Sequence, residues 1–524
     1  MMHTATALSL SLTTRAAASD APAPLPTAVA LFATLNREGV RYCHWKSNLR
    51  LDWSLGGETD LDLLVDPADA ARFLNALQAF GARRVLAPPG KRYPSIADYL
   101  GYDESTGKLF HLHVHYQLVL GEQFVKNYRL PAARRFLDSA RPVNGVMLPA
   151  PELELAVLSL RALLKYRDRD AVKDILLIRT PGIPAHIRDE IHWLSGQTTT
   201  ARVYEAAVDV LGRPAANVIA AFLLTVRARP RHGRELLRLR GAARRALAPY
   251  RRAGRGRAVT RYVAELVRRR RMRRGPPRKM TLPERGVSVG LLGADGAGKT
   301  AVTAELAAWL GRMLDVRSYY QGSKQPSLLS SGLYVAFRAF RRAHRGWSAR
   351  RGAGGAGAQL LANARQLFLN AHYLSVGVDR YRRHRAGRRA VERGAIVLYD
   401  RFPLVDPLDG PVIRGRSGDR ATGAARLEES LYRRFEPPDA FLVLAADPDV
   451  SLRRKPDHDR AAVEGKAELL RRLVEDPALG PVAERAVVID AGRPLSIVLA
   501  DARRALWAIL SRSDGAEPSA PHSS

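Results

Sequence analysis

Cysteine is almost absent: Cys43 is the only one in 524 residues, so no intramolecular disulfide can form and the chain suits a reducing compartment. Long apolar runs are missing too. The longest, Ala215 to Val226, falls well short of the roughly 20 residues a membrane helix needs. No basic segment precedes Ala7 to Leu12, so Met1 to Pro26, rich in Ala, Ser, Thr and Pro, reads as a disordered tail and not as a signal peptide. Ser513 to Ser524 reads as a second one. Acidic residues are scarce against basic ones, 51 Asp and Glu to 84 Lys and Arg, a net charge of +33. Such a balance suits nucleotides, nucleic acid or an anionic membrane surface, although an arginine-rich, alanine-rich background produces it equally well.

The most informative stretch is Val287 to Thr300, where an apolar run breaks into Gly293-Ala294-Asp295-Gly296-Ala297-Gly298-Lys299-Thr300. The glycines let backbone N–H groups turn inward around phosphate oxygens, and the helix that follows points its positive end at them. Lys299 supplies charge to the β and γ phosphates, and Thr300 can place its hydroxyl on a magnesium ion. A Gly-rich turn capping a helix is the bland alternative, but the full spacing, with a strand before it and a helix after it, favours a P-loop that binds ATP with Mg2+. Apolar runs at Val316–Tyr320, Ala395–Tyr399, Ala440–Ala445 and Val487–Ile489, separated by helical patterns, predict a parallel sheet with its ligands at the carboxyl edge. A basic helix, Ser330–Ala343, and another helix, Gln359–Gly377, with a Gly-rich break at Gly352–Gly357 between them, are expected between the first and second of these.

Taken in order, Gly293–Thr300, Asp379-Arg380, Asp400-Arg401-Phe402 and Asp447-Pro448 followed by Arg453, Arg454 and Arg460 resemble the thymidylate kinase family over residues 287 to 510. The resemblance implies a P-loop NTPase fold, a parallel sheet flanked by helices, and phosphoryl transfer from ATP. It makes Asp400 the indirect magnesium holder, Arg401 and Arg380 clamps on an acceptor phosphate, Asp295 a contact to the acceptor, and Arg453, Arg454 and Arg460 a lid over the transferring group. Two family segments are missing. Tyr319-Tyr320-Gln321-Gly322-Ser323 replaces an Arg-Glu-Pro-Gly-Gly stretch, and Pro403 to Gly410 replaces a Ser and Ala-Tyr-Gln segment, which leaves the acceptor open. A phosphate acceptor arrives ionised and needs clamps, whereas a hydroxyl acceptor needs a base, for which Asp295 is the candidate. The clamps outnumber the base, so a nucleoside monophosphate or related phosphomonoester is expected. A sugar or lipid-linked hydroxyl and a regulatory P-loop protein are the alternatives.

Earlier in the chain, a helix from Thr27 and a strand at Val40–Trp45 lead into Lys46-Ser47-Asn48 and then Thr59–Val65, whose alternation puts Asp60 and Asp62 on one face of a strand. Paired carboxylates repel unless a cation lies between them, which is how a metal site for nucleotidyl transfer begins. This stretch resembles the nucleotidyltransferase superfamily over about residues 30 to 120, with Lys46-Ser47 in the place of a Gly-Ser pair, and implies an α+β fold. A third carboxylate is expected on Leu109–Leu118, and none is there. His111, His113 and His115 share a face of that segment instead. They stand where the acid is expected, line an inactive pocket, or hold zinc with help from elsewhere. The expectation is a degenerate transferase.

The domain reading is therefore a tail (1–26), a nucleotidyltransferase-like domain (27–145), a helical appendage (146–225), an Arg-rich helical linker (226–285), a thymidylate kinase-like domain (286–512) and a second tail (513–524). Arg268 to Arg271, Arg273 and Arg274 make the linker basic, and Gly275-Pro276-Pro277 ends it. Tyr250 and Tyr262 are its only aromatics, so base stacking has little to work with, nucleic acid is disfavoured, and an anionic membrane surface is the better partner for a peripheral contact. A homodimer stays open. The expected location is the cytoplasm.

Overall fold

The strand Lys108–His115 shows how sequence becomes structure in the first part of the chain, because its alternation sends Phe110, Leu112 and Val114 into a core and the three histidines to the other face. The structure, a computed structural model, describes residues 21–512 apart from 94, 122–124, 176–181, 229–232, 255, 258–259, 265–266, 268–278, 323–324, 352–354 and 404–422. The tails up to residue 20 and from 513, the arginine run 268–274 with its Gly-Pro-Pro, and nearly all of 403–410 lie outside the described residues. The chain divides into two compact units, parting between Arg278 and Lys279.

In the first unit, β1 (Tyr42–His44), β2 (Leu61–Val65), β3 (Arg83–Val85), β4 (Ile96–Asp103) and β5 (Lys108–His115) form one sheet in the order β1-β2-β5-β4-β3. Only β2 and β5 run parallel. Helices Pro26–Arg37 and Ala70–Ala79 cover one face through Leu31, Phe32 and Phe73. Pro26 presets the first turn of its helix, and Asp103 accepts from Thr27 N at 3.0 Å, fixing that helix to β4. Two small hairpins follow, β6 (Leu118–Leu120) with β7 (Tyr128–Leu130) and β8 (Arg141–Val143) with β9 (Val146–Leu148). A second core gathers helices Pro151–Lys165, Ala185–Ser195, Thr200–Leu211, Arg213–Ala228 and Gly233–Ala246 around Leu160, Leu163, Ile219 and Phe222.

The last of those helices revises the linker expected over 226–285. Leu236, Leu239, Ala243 and Leu247 are buried in the second core, so this part of the arginine-dense stretch is a packed helix, with most of its arginines outside and Arg240 buried, donating to Tyr166 O at 2.8 Å. Arginine content hid an apolar stripe at helical spacing.

In the second unit, β10 (Ser288–Gly293), β11 (Val316–Tyr320), β12 (Ile396–Asp400), β13 (Ala440–Ala445) and β14 (Ala486–Asp490) form a fully parallel sheet in the order β11-β12-β10-β13-β14. Its inner strands are near-continuous apolar runs because helices cover both faces. The chain crosses from one side of β10 to the other after β12, which puts the end of β10 at a topological switch point. The basic insertion forms two long helices, Leu328–Arg351 and Ala356–Val391, joined lengthwise by contacts such as Phe340 on Phe368, ring centroids 5.0 Å apart.

Candidate phosphoryl-transfer site

At the end of β10 the loop Gly293–Thr300 turns sharply, and Gly296 and Gly298 take φ of +94° and +91°, which side chains rarely tolerate. A Cβ on Gly296 would also come within 2.5 Å of Ser451 O, so the helix Pro448–Arg454 rests directly on the loop. Lys299 is buried beneath it, its Nζ donating to Gly293 O at 2.7 Å and Ala294 O at 2.8 Å. Thr300 Oγ1 donates to Asp400 Oδ2 at 2.9 Å. Asp400 ends β12 opposite Leu291 of β10, so parallel register alone brings it to the loop. Its Oδ1 is buried with no hydrogen-bond partner among the described residues. A hydroxyl and a buried carboxylate with a spare oxygen are hard donors of the kind Mg2+ prefers, and the site fits that ion.

Arg401 follows with φ of +64°, a strained value for a side-chain residue, and its Nη2 donates to Asp295 Oδ1 at 3.1 Å. Lys466 Nζ donates to Asp295 Oδ2 at 2.7 Å, and His458 Nδ1 stands 3.9 Å from the same oxygen. Although burial works against ionisation, the Lys466 ammonium with Lys299 and Arg401 holds the Asp295 carboxyl well below the usual carboxylate range. Lys466 and His458 escaped the sequence reading, since the Lys466 contact spans 171 residues and leaves no local pattern.

The other expected residues are placed as follows. Arg453 and Arg460 line an open pocket with His458. Arg460 pairs at the surface with Asp449 at 2.8 Å and Glu464 at 3.1 Å. Arg454 donates to Ala491 O at 3.0 Å, tying the helix Pro448–Arg454 to the end of β14. Arg380 is buried and donates to Tyr432 Oη at 2.5 Å, while Asp379 accepts from Ser327 N and Ser330 Oγ. The Asp379-Arg380 pair thus supports the helices around the site from within. Gln321, in the replaced segment, lies just past β11, its N–H on Asp400 O at 2.9 Å. Both ends of its buried carboxamide lack a partner among the described residues.

The first unit gathers a second set. Lys46 Nζ forms an ion pair with the buried Asp62, so a lysine holds the position a metal was expected to take there. Asp60 precedes β2, is largely exposed, and lies 2.8 Å from His111 Nδ1. The two acids face different partners. A carboxylate that the sequence reading left out joins them: Asp98 on β4 lies opposite His113 in the antiparallel register, with Oδ1 3.0 Å from His111 Nε2 and 2.7 Å from His113 Nδ1. Burial opposes the charge on His111, but its bonds to Asp60 and Asp98 raise it to about 9. Candidate ligand atoms of Asp62, His113 and His115, and of Asp98, His111 and His113, each lie within 4.8 Å of one another.

The turn that carries Lys46 is held by buried acids. Ser47 has φ of +64° and donates its N–H to Glu190 Oε1 at 2.8 Å, and Asn48 Nδ2 donates to Glu154 Oε2 at 2.8 Å. Burial pushes Glu154 up to about 8. A carboxyl with a higher value in the fold than in the unfolded chain favours the fold while protonated, and that contribution is lost as pH rises towards the folded value. Glu154→Gln is therefore expected to gain stability relative to wild type between roughly pH 5 and pH 8, by at most about 1.4 kcal/mol per pH unit. Thermal melts across that range check this, and a difference that stays constant refutes it.

No family model matches the chain. It is 25% identical over 244 residues, 43% of its length, to a protein of Escherichia coli (strain K12) described as an uncharacterized ATP-binding protein, YghR, of which the match covers 89%. The protein of the same name from a second Escherichia coli strain matches equally. Among solved structures, deoxyadenosine kinase from M. mycoides with bound dATP matches 42% of this chain and 98% of its own at 11% identity and a TM-score of 0.28, and the same kinase with dCTP gives 0.25.

Proposed function

We propose that the second unit is an ATP- and magnesium-dependent, nucleotide kinase-like phosphotransferase acting on a phosphorylated small molecule. The observation that carries this is the bond from Thr300 to Asp400, with a spare buried oxygen on Asp400 and Lys299 directly beneath the loop. The likeness to an ATP-binding relative supports ATP as donor. Magnesium, when bound, draws charge from the β and γ phosphates. Thr300 and Asp400 would hold it, the loop N–H groups orient the phosphates, and Lys299 exchanges its carbonyl partners for phosphate oxygens. Lys466 and His458, reaching Asp295 from beyond the helix Pro448–Arg454, help to close water out.

The acceptor reading rests on charge. Asp295 is ionised and paired with Arg401 and Lys466, which makes it a poor proton acceptor and disfavours a hydroxyl substrate that needs a base. Arg401 is the cation left to grip an acceptor phosphate, and Gln321 offers its carboxamide for orientation. Incubating the protein with ATP, Mg2+ and a panel of nucleoside monophosphates, sugar phosphates, sugars and lipid alcohols, and following ADP release, tests the assignment. Arg401→Ala is expected to raise the acceptor KM at least about tenfold while leaving ATP affinity within about twofold, the scale of one lost charge-assisted bond. Unchanged acceptor affinity, with turnover stopped by Asp295→Asn, would move the acceptor to the hydroxyl class.

For the first unit we propose no nucleotidyl transfer. Lys46 on Asp62 and histidines on Asp98 and Asp60 leave its carboxylates neutralised by side chains and not free for a metal pair.

A further inference from the structure

His115 is 1% exposed, and neither ring nitrogen has a hydrogen-bond partner among the described residues. Such a group costs stability unless something bonds to it. Its ring packs against Trp45 at 5.0 Å and His113 at 4.7 Å, beside the turn that carries Lys46. That turn is gripped by Glu154 on the helix Pro151–Lys165, and Arg161 and Lys165 lie seven and eleven residues further along the helix, on the same face as Glu154. A fourth cation arrives from the β6–β7 connection: Lys126, at a strained φ of +41°, with its Nζ 4.2 Å from the Tyr93 ring centroid. Strain of this kind persists where surrounding structure fixes a side chain in place.

The acids around His115 already have partners. Asp62 pairs with Lys46, Asp60 and Asp98 both face His111, Glu190 accepts from the Ser47 N–H, and burial keeps Glu154 protonated below about pH 8. Lys126, Arg161 and Lys165 remain, with no ion pair among the described residues. The crowding is felt: desolvation first, and then the neighbouring cations, bring Lys126 down to about 8 and Lys165 to about 7. Cations without ion pairs beside an unpartnered buried ring suit an anion.

We propose that Lys126, Arg161 and Lys165, with His115 at their base and Lys46 standing where a metal would, form a metal-independent binding site for a phosphate-bearing small molecule. Two or more linked phosphates suit three cations better than one. The site is separate from the P-loop and does not rest on the kinase reading. Metal ions are unwelcome there because the surrounding cations oppose them.

The test uses full-length protein carrying Lys299→Ala, which weakens P-loop binding, in excess EDTA, and assigns to this site only the binding that its own substitutions below remove. Inorganic phosphate, tripolyphosphate and ATP are titrated by calorimetry. One equivalent of tripolyphosphate is expected to bind, more tightly than phosphate. Binding of ATP as well would identify a nucleotide as the source of the phosphates, and binding of tripolyphosphate alone a non-nucleotide ester; either agrees with the proposal. Arg161→Gln with Lys165→Gln should weaken binding at least about a hundredfold, tenfold for each charged bond lost. Removing two exposed arginines elsewhere, Arg134→Gln with Arg238→Gln, should change it less than about twofold. If the first pair fails to fold, Lys126→Gln replaces it, with at least about a tenfold loss expected. No binding, equal loss from both pairs, or binding only after Zn2+ or Mg2+ is added would overturn the proposal.

Discussion

Replacing Lys299 with alanine is expected to cut turnover about a thousandfold, ~4 kcal/mol at the transition state, with the fold retained. The ammonium is buried under the phosphate loop and bonded to Gly293 O and Ala294 O, two carbonyls of that same loop. Those bonds stabilise the empty loop by about 1 kcal/mol each, so the thermal midpoint should fall by only a few degrees. Their geometry suits transfer to phosphate, since a lysine ammonium has three rotatable donors and can follow charge as it develops on the γ phosphoryl oxygens. Nucleotide affinity should weaken less than turnover, because the ground-state phosphates keep the loop N–H groups. Initial rates of ADP release, read beside melting curves, decide it. A folded Lys299→Ala protein with wild-type turnover would end the kinase reading.

The parts of the site that were legible in the sequence are those that neighbours in the chain create. Gly293 to Thr300 carries its geometry in eight consecutive residues, and Asp400-Arg401 is marked by the end of an apolar strand. A parallel sheet then brings the two together by register, which the alternation of strands and helices predicts. Lys466 could not be found this way: its helix docks on the loop through packing that no local period records, and its partner Asp295 is far away in the chain. Arg380 shows the converse. Its motif sits at the expected place, but the long helix Ala356–Val391 turns the guanidinium inward onto Tyr432. Asp98 was missed because antiparallel pairing of β4 with β5 supplies an acid from the neighbouring strand, and the search for a third carboxylate had followed β5 alone. The helix Gly233–Ala246 was masked by arginines whose apolar neighbours do the packing.

Asp400→Asn is expected to separate metal binding from nucleotide binding. The wild-type carboxylate spends Oδ2 on the Thr300 hydroxyl and keeps Oδ1 buried without a partner among the described residues, an arrangement that costs stability until a cation arrives. Asparagine has the same shape and can still accept from Thr300 with its one oxygen, but it puts an NH2 group at the second position and removes the charge. The empty protein should therefore be as stable as wild type or more so, with an equal or higher melting temperature. ATP affinity in EDTA should be unchanged, since the loop N–H groups and Lys299 are untouched. Magnesium is expected to tighten ATP binding to the wild type and not to Asp400→Asn, and turnover should fall about a hundredfold or more, the loss expected when a pre-placed charge stabiliser is removed. Calorimetric titration of ATP with and without Mg2+, on both proteins, gives the comparison directly. If Mg2+ tightened ATP on Asp400→Asn as much as on wild type, the spare oxygen would have some other purpose, and the pairing of Thr300 with Asp400 could not be the cation's seat.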